Sequence, residues 1–83
     1  MISKEDRIDE CERSLIGGMI VDNSIIPNVL NVVKSGAFQN TLNQSIVDKL
    51  QELNAKGIVA DLVTICNELP AVDPGYIAEL TNN

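Results

Sequence analysis

The stretch Glu12-Arg13-Ser14-Leu15-Ile16-Gly17-Gly18-Met19-Ile20-Val21-Asp22-Asn23 constrains this chain more than any other. Ile8, Cys11, Leu15 and Met19 recur at steps of three, four and four, and Ile16 and Ile20 widen the stripe. That spacing is the period of an amphipathic helix. The pattern does not reset at Gly17-Gly18, so the helix is expected to run through them, from Lys4 or Glu5 to Val21. Two interior glycines cost about 0.5–1 kcal/mol each relative to alanine, and close approach of a second backbone would offset that cost. Gly17 and Gly18 are therefore candidates for close helix packing. The alternative is that Gly17 caps a short helix and a turn follows.

Length and charge narrow the function classes. The 83 residues are expected to form one small domain over residues 1–83. A chain of this size buries only about 60% of the surface its unfolded form exposes. One Phe, one Tyr and no Trp leave the core to Ile, Leu, Val and Met. Lys+Arg number 6 against 12 Asp+Glu, a net charge of −6, and the basic residues Lys4, Arg7, Arg13, Lys34, Lys49 and Lys56 are dispersed. A nucleic-acid contact surface needs clustered Lys and Arg, so none is expected. The polar N-terminus lacks a signal peptide's apolar region, and the run Met19-Ile20-Val21 is far short of a membrane span. Cys11 and Cys66 have no Cys-x-x-Cys spacing, and there is no His. Neither a metal site nor a disulfide is expected. Both cysteines fall on apolar stripes and read as buried free thiols, in keeping with a reducing cytoplasm.

The remaining chain reads as four more helices. Ser3 to Asp6 resembles a capping box, and Glu5, Asp6, Asp9 and Glu10 suit the positive end of the first helix. Ser24 as N-cap would place Pro27 at the third helical position of a second helix. That helix carries Ile25, Ile26, Val29, Leu30, Val32 and Val33, apolar nearly all round, and needs burial from several sides. Gly36 is placed to end it in a left-handed conformation. Phe38 is expected to plug the core. Thr41 with Gln44 forms a capping-box pattern for a third helix, with Ile46, Val47, Leu50 and Leu53 on its apolar side and Gly57 closing it. Ile58-Val59-Ala60 is a short extended connector. Asp61 caps a fourth helix, which Pro70 stops, and Asp73-Pro74 starts the last one with Tyr76, Ile77 and Leu80. The expected fold is all-α, a compact bundle of about five short helices.

Little chemistry is encoded. No imidazole base is present, no phosphate-binding glycine loop, and no base beside Cys66 to activate it. Asp9, Glu10, Glu12 and Asp22 read as solvated or capping carboxylates. An acyl carrier protein would need Asp-Ser-Leu at the start of a mid-chain helix, and Asn23-Ser24-Ile25 has the wrong first residue and comes too early. No catalytic, cofactor-binding or metal residue is assigned.

Four stretches together resemble one family. Glu12 to Asn23 is similar to the helix near the start of DnaB-type replicative helicases, with its Val-Leu-Gly-Gly, apolar triplet and Asp-Asn. Phe38, followed five and eight residues later by Asn43 and Ile46, resembles the family's Phe-Tyr...His...Ile stretch. Gly57-Ile58-Val59-Ala60-Asp61-Leu62-Val63-Thr64 resembles Gly-x-Pro-x-Asp-Leu-Val-Thr, and Gly75 to Leu80 resembles Gly-x-x-Tyr-Leu-Ala-x-Leu. Asn43 stands where the family often has His, Gln39 where it has Tyr, and Val59 where it has Pro. The resemblance covers about residues 8 to 83.

It implies the helical head of the N-terminal collar of a ring-shaped hexameric helicase. ATP, Mg and DNA translocation would belong to a C-terminal RecA-like domain that this chain does not contain. The chain itself would be a non-catalytic interaction module, with no cofactor of its own. Its partners would be further copies of itself in a dimer or ring, primase, and a helicase loader, in the cytoplasm. The other reading is a free-standing phage- or plasmid-type factor of the same fold that binds helicase or primase. The candidate partner-binding residues are Ile58 and Val59, apolar in a connector where polar residues are the rule, and Ile26 and Val33 on the second helix. Core packing is the competing role for each.

Overall fold

Helix α1 spans Lys4–Val21 and continues through both glycines. The computed structural model describes residues 4–82, so the capping expectation at Ser3 lies outside the described residues. The buried face of α1 is made by Glu12, Ile16, Met19 and Ile20. Cys11 and Leu15 fall at its edge and are exposed, which corrects the expectation of a buried Cys11 thiol. One residue turns a helix by about 100°, and the inward position of Glu12 swings Cys11 out of the core.

Asp22 ends α1 and begins the next element. Its Oδ1 accepts from the Ser24 N–H at 3.1 Å and from the Ser24 hydroxyl at 2.6 Å. A 3-10 turn over Asn23–Ile25 follows, then α2 over Ile26–Val32, with Pro27 in its first turn. The cap is therefore Asp22 and not Ser24. Pro27 fits either arrangement, because the first turn of a helix has no intrahelical N–H bonds to lose. Only one side of α2 is buried, through Ile26 and Leu30, and Val32 is 80% exposed. A second 3-10 turn, Ser35–Ala37, carries Gly36 with ordinary negative φ and delivers Phe38 into the core at 1% exposure.

Helix α3, Thr41–Ala55, is capped by Asn40, one residue before the expected Thr41. Asn40 Oδ1 accepts from Leu42 N–H at 2.8 Å and from Asn43 N–H at 3.2 Å. The Gln44 amide donates to the Phe38 carbonyl instead of returning to the cap. Ile46, Val47, Leu50 and Leu53 form the buried face of α3. Gly57, at φ +72°, closes the helix: its N–H donates to Asn54 at 3.1 Å, and that of Ile58 donates to Leu53 at 2.9 Å. This paired arrangement at a helix end needs a left-handed residue.

Two short helices complete the bundle. Helix α4, Leu62–Glu68, is capped by Asp61, which accepts from Thr64 N–H at 2.8 Å. Helix α5, Pro74–Leu80, is capped by Asp73, which accepts from Gly75 N–H at 3.0 Å. Ile65, Val72, Ile77 and Leu80 close the core around Ile16, Met19, Phe38 and the α3 face. The five α-helices form the all-α bundle, with no strand among the described residues. Helix α5 crosses α1 at Gly17, where a Cβ would stand 1.9 Å from the Leu80 carbonyl oxygen. At Gly18 a Cβ would meet only the Ile25 methyl at 3.6 Å, an ordinary contact.

Candidate interaction surface

Two loops are tied by polar side chains, the first to α1 and the second to the 3-10 turn that follows it. The first is the segment 38–40. Glu12, only 6% exposed, accepts from Gln39 N–H at 2.6 Å, from Asn40 N–H at 3.4 Å and from the Asn43 amide at 3.0 Å. A buried carboxylate needs such donors. Glu12 is therefore neither solvated nor a cap, contrary to the reading from sequence. Asn43, fully buried, passes the network on: its carbonyl oxygen accepts from the Tyr76 hydroxyl. Burial, and then the neighbouring Asp9 carboxylate, push the Tyr76 phenol above its ordinary range, keeping it a donor. Arg13 Nε lies 3.2 Å from Asp9 Oδ2, an ion pair half open to water and not aligned as a hydrogen bond. Such a pair contributes little to stability.

The second tied loop is the connector 58–61. Asn23 Oδ1 accepts from Ala60 N–H at 2.6 Å, and its amide donates to the Ala60 carbonyl at 3.3 Å and to the Met19 carbonyl at 2.9 Å. Ala60 is fully buried, yet Ile58 is 46% and Val59 67% exposed. This connector carries two large aliphatic side chains outward on a backbone fixed at Gly57, Ala60 and Asp61. Val21, at the end of α1, and Val63, in the first turn of α4, are also exposed. The Asn23–Ala60 bonds bring the chain segments bearing these residues to the same end of the molecule. Asp22 and Asp61, both exposed, supply carboxylates beside the tie. The Thr64 N–H holds the Asp61 carboxyl below its usual range, so it stays charged well into mild acid.

The other sequence candidates fare differently. Ile26 is 1% exposed and part of the core, so its side chain is not available to a partner. The cause is the orientation of α2, which turns Ile26 and Leu30 inward and leaves Val32 in solvent. Val33 is half-buried against the core. Sequence reasoning missed a shallow groove of about 320 Å³ between α1 and the second 3-10 turn, lined by Arg7, Ile8, Cys11, Glu12, Leu15 and Ala37. The apolar stripe through Cys11 and Leu15 was its signal. Among the described residues no group of three or more His, Cys, Asp or Glu is placed to hold a metal ion. Among them, too, no single helix is long and apolar enough to cross a membrane.

Comparison with known proteins matches residues 4–83 to the DnaB-like helicase N terminal domain. The chain belongs to that family. It is similar to the replicative DNA helicase DnaB of Mycobacterium leprae (strain TN), at 36% identity over 58 residues. Those residues are 70% of this chain and 10% of that protein, so the chain spans about a tenth of its relative's length. No solved structure matches the chain significantly. In this DnaB-like domain the four stretches that carry the resemblance meet on α1. Glu12 bonds the Phe38 stretch, Asn23 the Ala60 stretch, and Gly17 lies against Leu80, while Asn43 reaches Tyr76. These residues hold the fold together, while Val21, Ile58, Val59 and Val63 of the same stretches face outward.

Proposed function

We propose that this chain is a non-catalytic protein-interaction domain of a replicative DNA helicase, acting in DNA replication through ring assembly and docking of primase or a helicase loader. Residues 1–83 act as one helical domain in the cytoplasm, and ATP with Mg is handled by a separate RecA-like domain of the helicase. The observation that carries the reading is the family match over residues 4–83. The exposed Ile58–Val59 pair on a tied backbone supports it and suggests where a partner sits. Val33 is a secondary candidate at the margin of that role. Gly17 serves helix packing by admitting the Leu80 carbonyl, whereas Gly18 has room for a Cβ beside the Ile25 methyl, so close packing does not require a glycine there.

Charge narrows the kind of partner for this surface. The chain carries −6, and Asp22 and Asp61 lie beside the connector tie. A second copy brings the same charge to the contact, whereas a partner with an apolar and basic face is drawn to it. We assign the Ile58–Val59 surface to primase and leave ring assembly to other faces. The test is a titration of this chain with the C-terminal domain of primase from the same source, with the chain's mass in solution recorded alongside. Saturable binding that weakens with salt supports the proposal. No binding, with a clean monomer, counts against docking on this domain.

A further inference from the structure

We infer that Asn23 is a positioning residue for the interaction surface: it holds the connector 58–61 in the one backbone path that turns Ile58 and Val59 outward. The inference rests on the reading that this surface takes a partner, and it adds the part that controls it. The Ile58 N–H bonds Leu53 of α3 and Asp61 caps α4, while Val59 and Ala60 between them lie in neither a helix nor a strand. A backbone segment in that situation needs its N–H and C=O groups bonded to something. Asn23 supplies both halves at Ala60, accepting at 2.6 Å and donating at 3.3 Å. An asparagine is the small side chain that offers an acceptor and a donor side by side.

The location of the tie matters as much as its chemistry. Ala60 is fully buried and Val59, its neighbour, is 67% exposed. In extended backbone successive side chains point to opposite sides, so anchoring Ala60 inward sends Val59 outward, and Ile58, which leaves the Gly57 turn, is the less exposed of the pair at 46%. Gly57 fixes the entry to the connector through its left-handed turn, and Asp61 fixes the exit by capping α4. Asn23 is the tie between these ends, and it comes from 37 residues away. The same amide donates to the Met19 carbonyl at 2.9 Å, in the last turn of α1. One side chain thereby couples the end of α1 to the orientation of the Ile58–Val59 pair.

A merely structural Asn23, serving only to cap α1, predicts a loss of stability and nothing specific at the connector. Two readouts separate the roles. The first is amide hydrogen exchange of Ile58, Val59 and Ala60 in wild type and N23A. Loss of one bonded acceptor should speed exchange at Ala60 by about tenfold while α3 amides keep their protection. The second is a mutant cycle on binding to the primase C-terminal domain, using N23A, the pair I58S/V59S and the triple variant. If Asn23 acts through the pair, N23A weakens binding in wild type and has no further effect in the I58S/V59S background.

Unchanged Ala60 exchange in N23A, or additive losses in the cycle, overturns the inference while leaving the surface reading intact. Binding that is insensitive to I58S/V59S, or absent in wild type, overturns the surface reading and the positioning role with it. Exchange at Ala60 then shows only whether the connector was tied. Should N23A fail to fold, N23S, which keeps an oxygen acceptor for the Ala60 N–H, takes its place with the same two readouts. Faster connector exchange than in wild type together with weaker binding supports the inference, and either change without the other overturns it.

Discussion

The loops 38–40 and 58–61 are built alike and used in opposite ways. Each lacks regular structure and is tied by polar side chains, the first by Glu12 and Asp9 of α1 and the second by Asn23 of the 3-10 turn that follows α1. The first turns its large apolar residue, Phe38, into the core at 1% exposure. The second turns Ile58 and Val59 into solvent, against the hydrophobic effect. Every bond of Glu12 and every contact of Phe38 serves this chain's own stability. The tie at Asn23 also serves the fold, but what it displays has no use within the monomer.

The comparison breaks most visibly at its apolar residues. Phe38→Ala empties a fully enclosed site and should cost about 3–5 kcal/mol in urea-unfolding free energy. Next comes α1, which carries Glu12 and, at the Met19 carbonyl, accepts from Asn23. Gly17→Ala drives a methyl against the Leu80 carbonyl, 1.9 Å from its ideal position, and should destabilise by about 3 kcal/mol, seen as a large drop in Tm. Glu12→Ala strips the Gln39 N–H and the Asn43 amide of a charged acceptor and should cost about 2 kcal/mol, again by urea unfolding. Gly18→Ala, one residue from Gly17, meets only ordinary contact and should stabilise by about 0.5–1 kcal/mol. Smallest is Ile58→Ser with Val59→Ser, within about 0.5 kcal/mol for exposed positions away from the core. A large loss there would mean the two loops are not opposites after all.

Much of this was legible along the chain, and the exceptions have physical causes. The unbroken period through Gly17-Gly18 survives as α1, and Asp61, Asp73-Pro74 and Gly57 act where capping rules put them, because each depends on neighbours within a few residues. Capping residues in a row defeat the same rules: Asn40 outcompetes Thr41 by reaching two amides, and Asp22 outcompetes Ser24 by bonding it. Glu12 and Asn23 could not be read locally. Their partners lie 27 to 37 residues away, and only the fold brings them together. Cys11 and Leu15 were misplaced because an apolar stripe on a helix is broader than the face a small core can bury. Ile58 and Val59 showed an apolar signal in a connector, but side chains alternate in extended backbone, and the inward Ala60 decides only for Val59; Ile58 is half exposed because it leaves the Gly57 turn.

On the proposed reading, the Ile58–Val59 connector is the surface a partner meets. The most direct measurement is an NMR titration of the isotope-labelled chain with the primase C-terminal domain, following each backbone amide. The perturbed amides should cluster at 57–63 and at the end of α1 near Val21, and I58S/V59S should abolish the perturbations without changing the rest of the spectrum. Perturbations confined to the groove along Cys11 and Leu15, or to α2 around Val33, would contradict it.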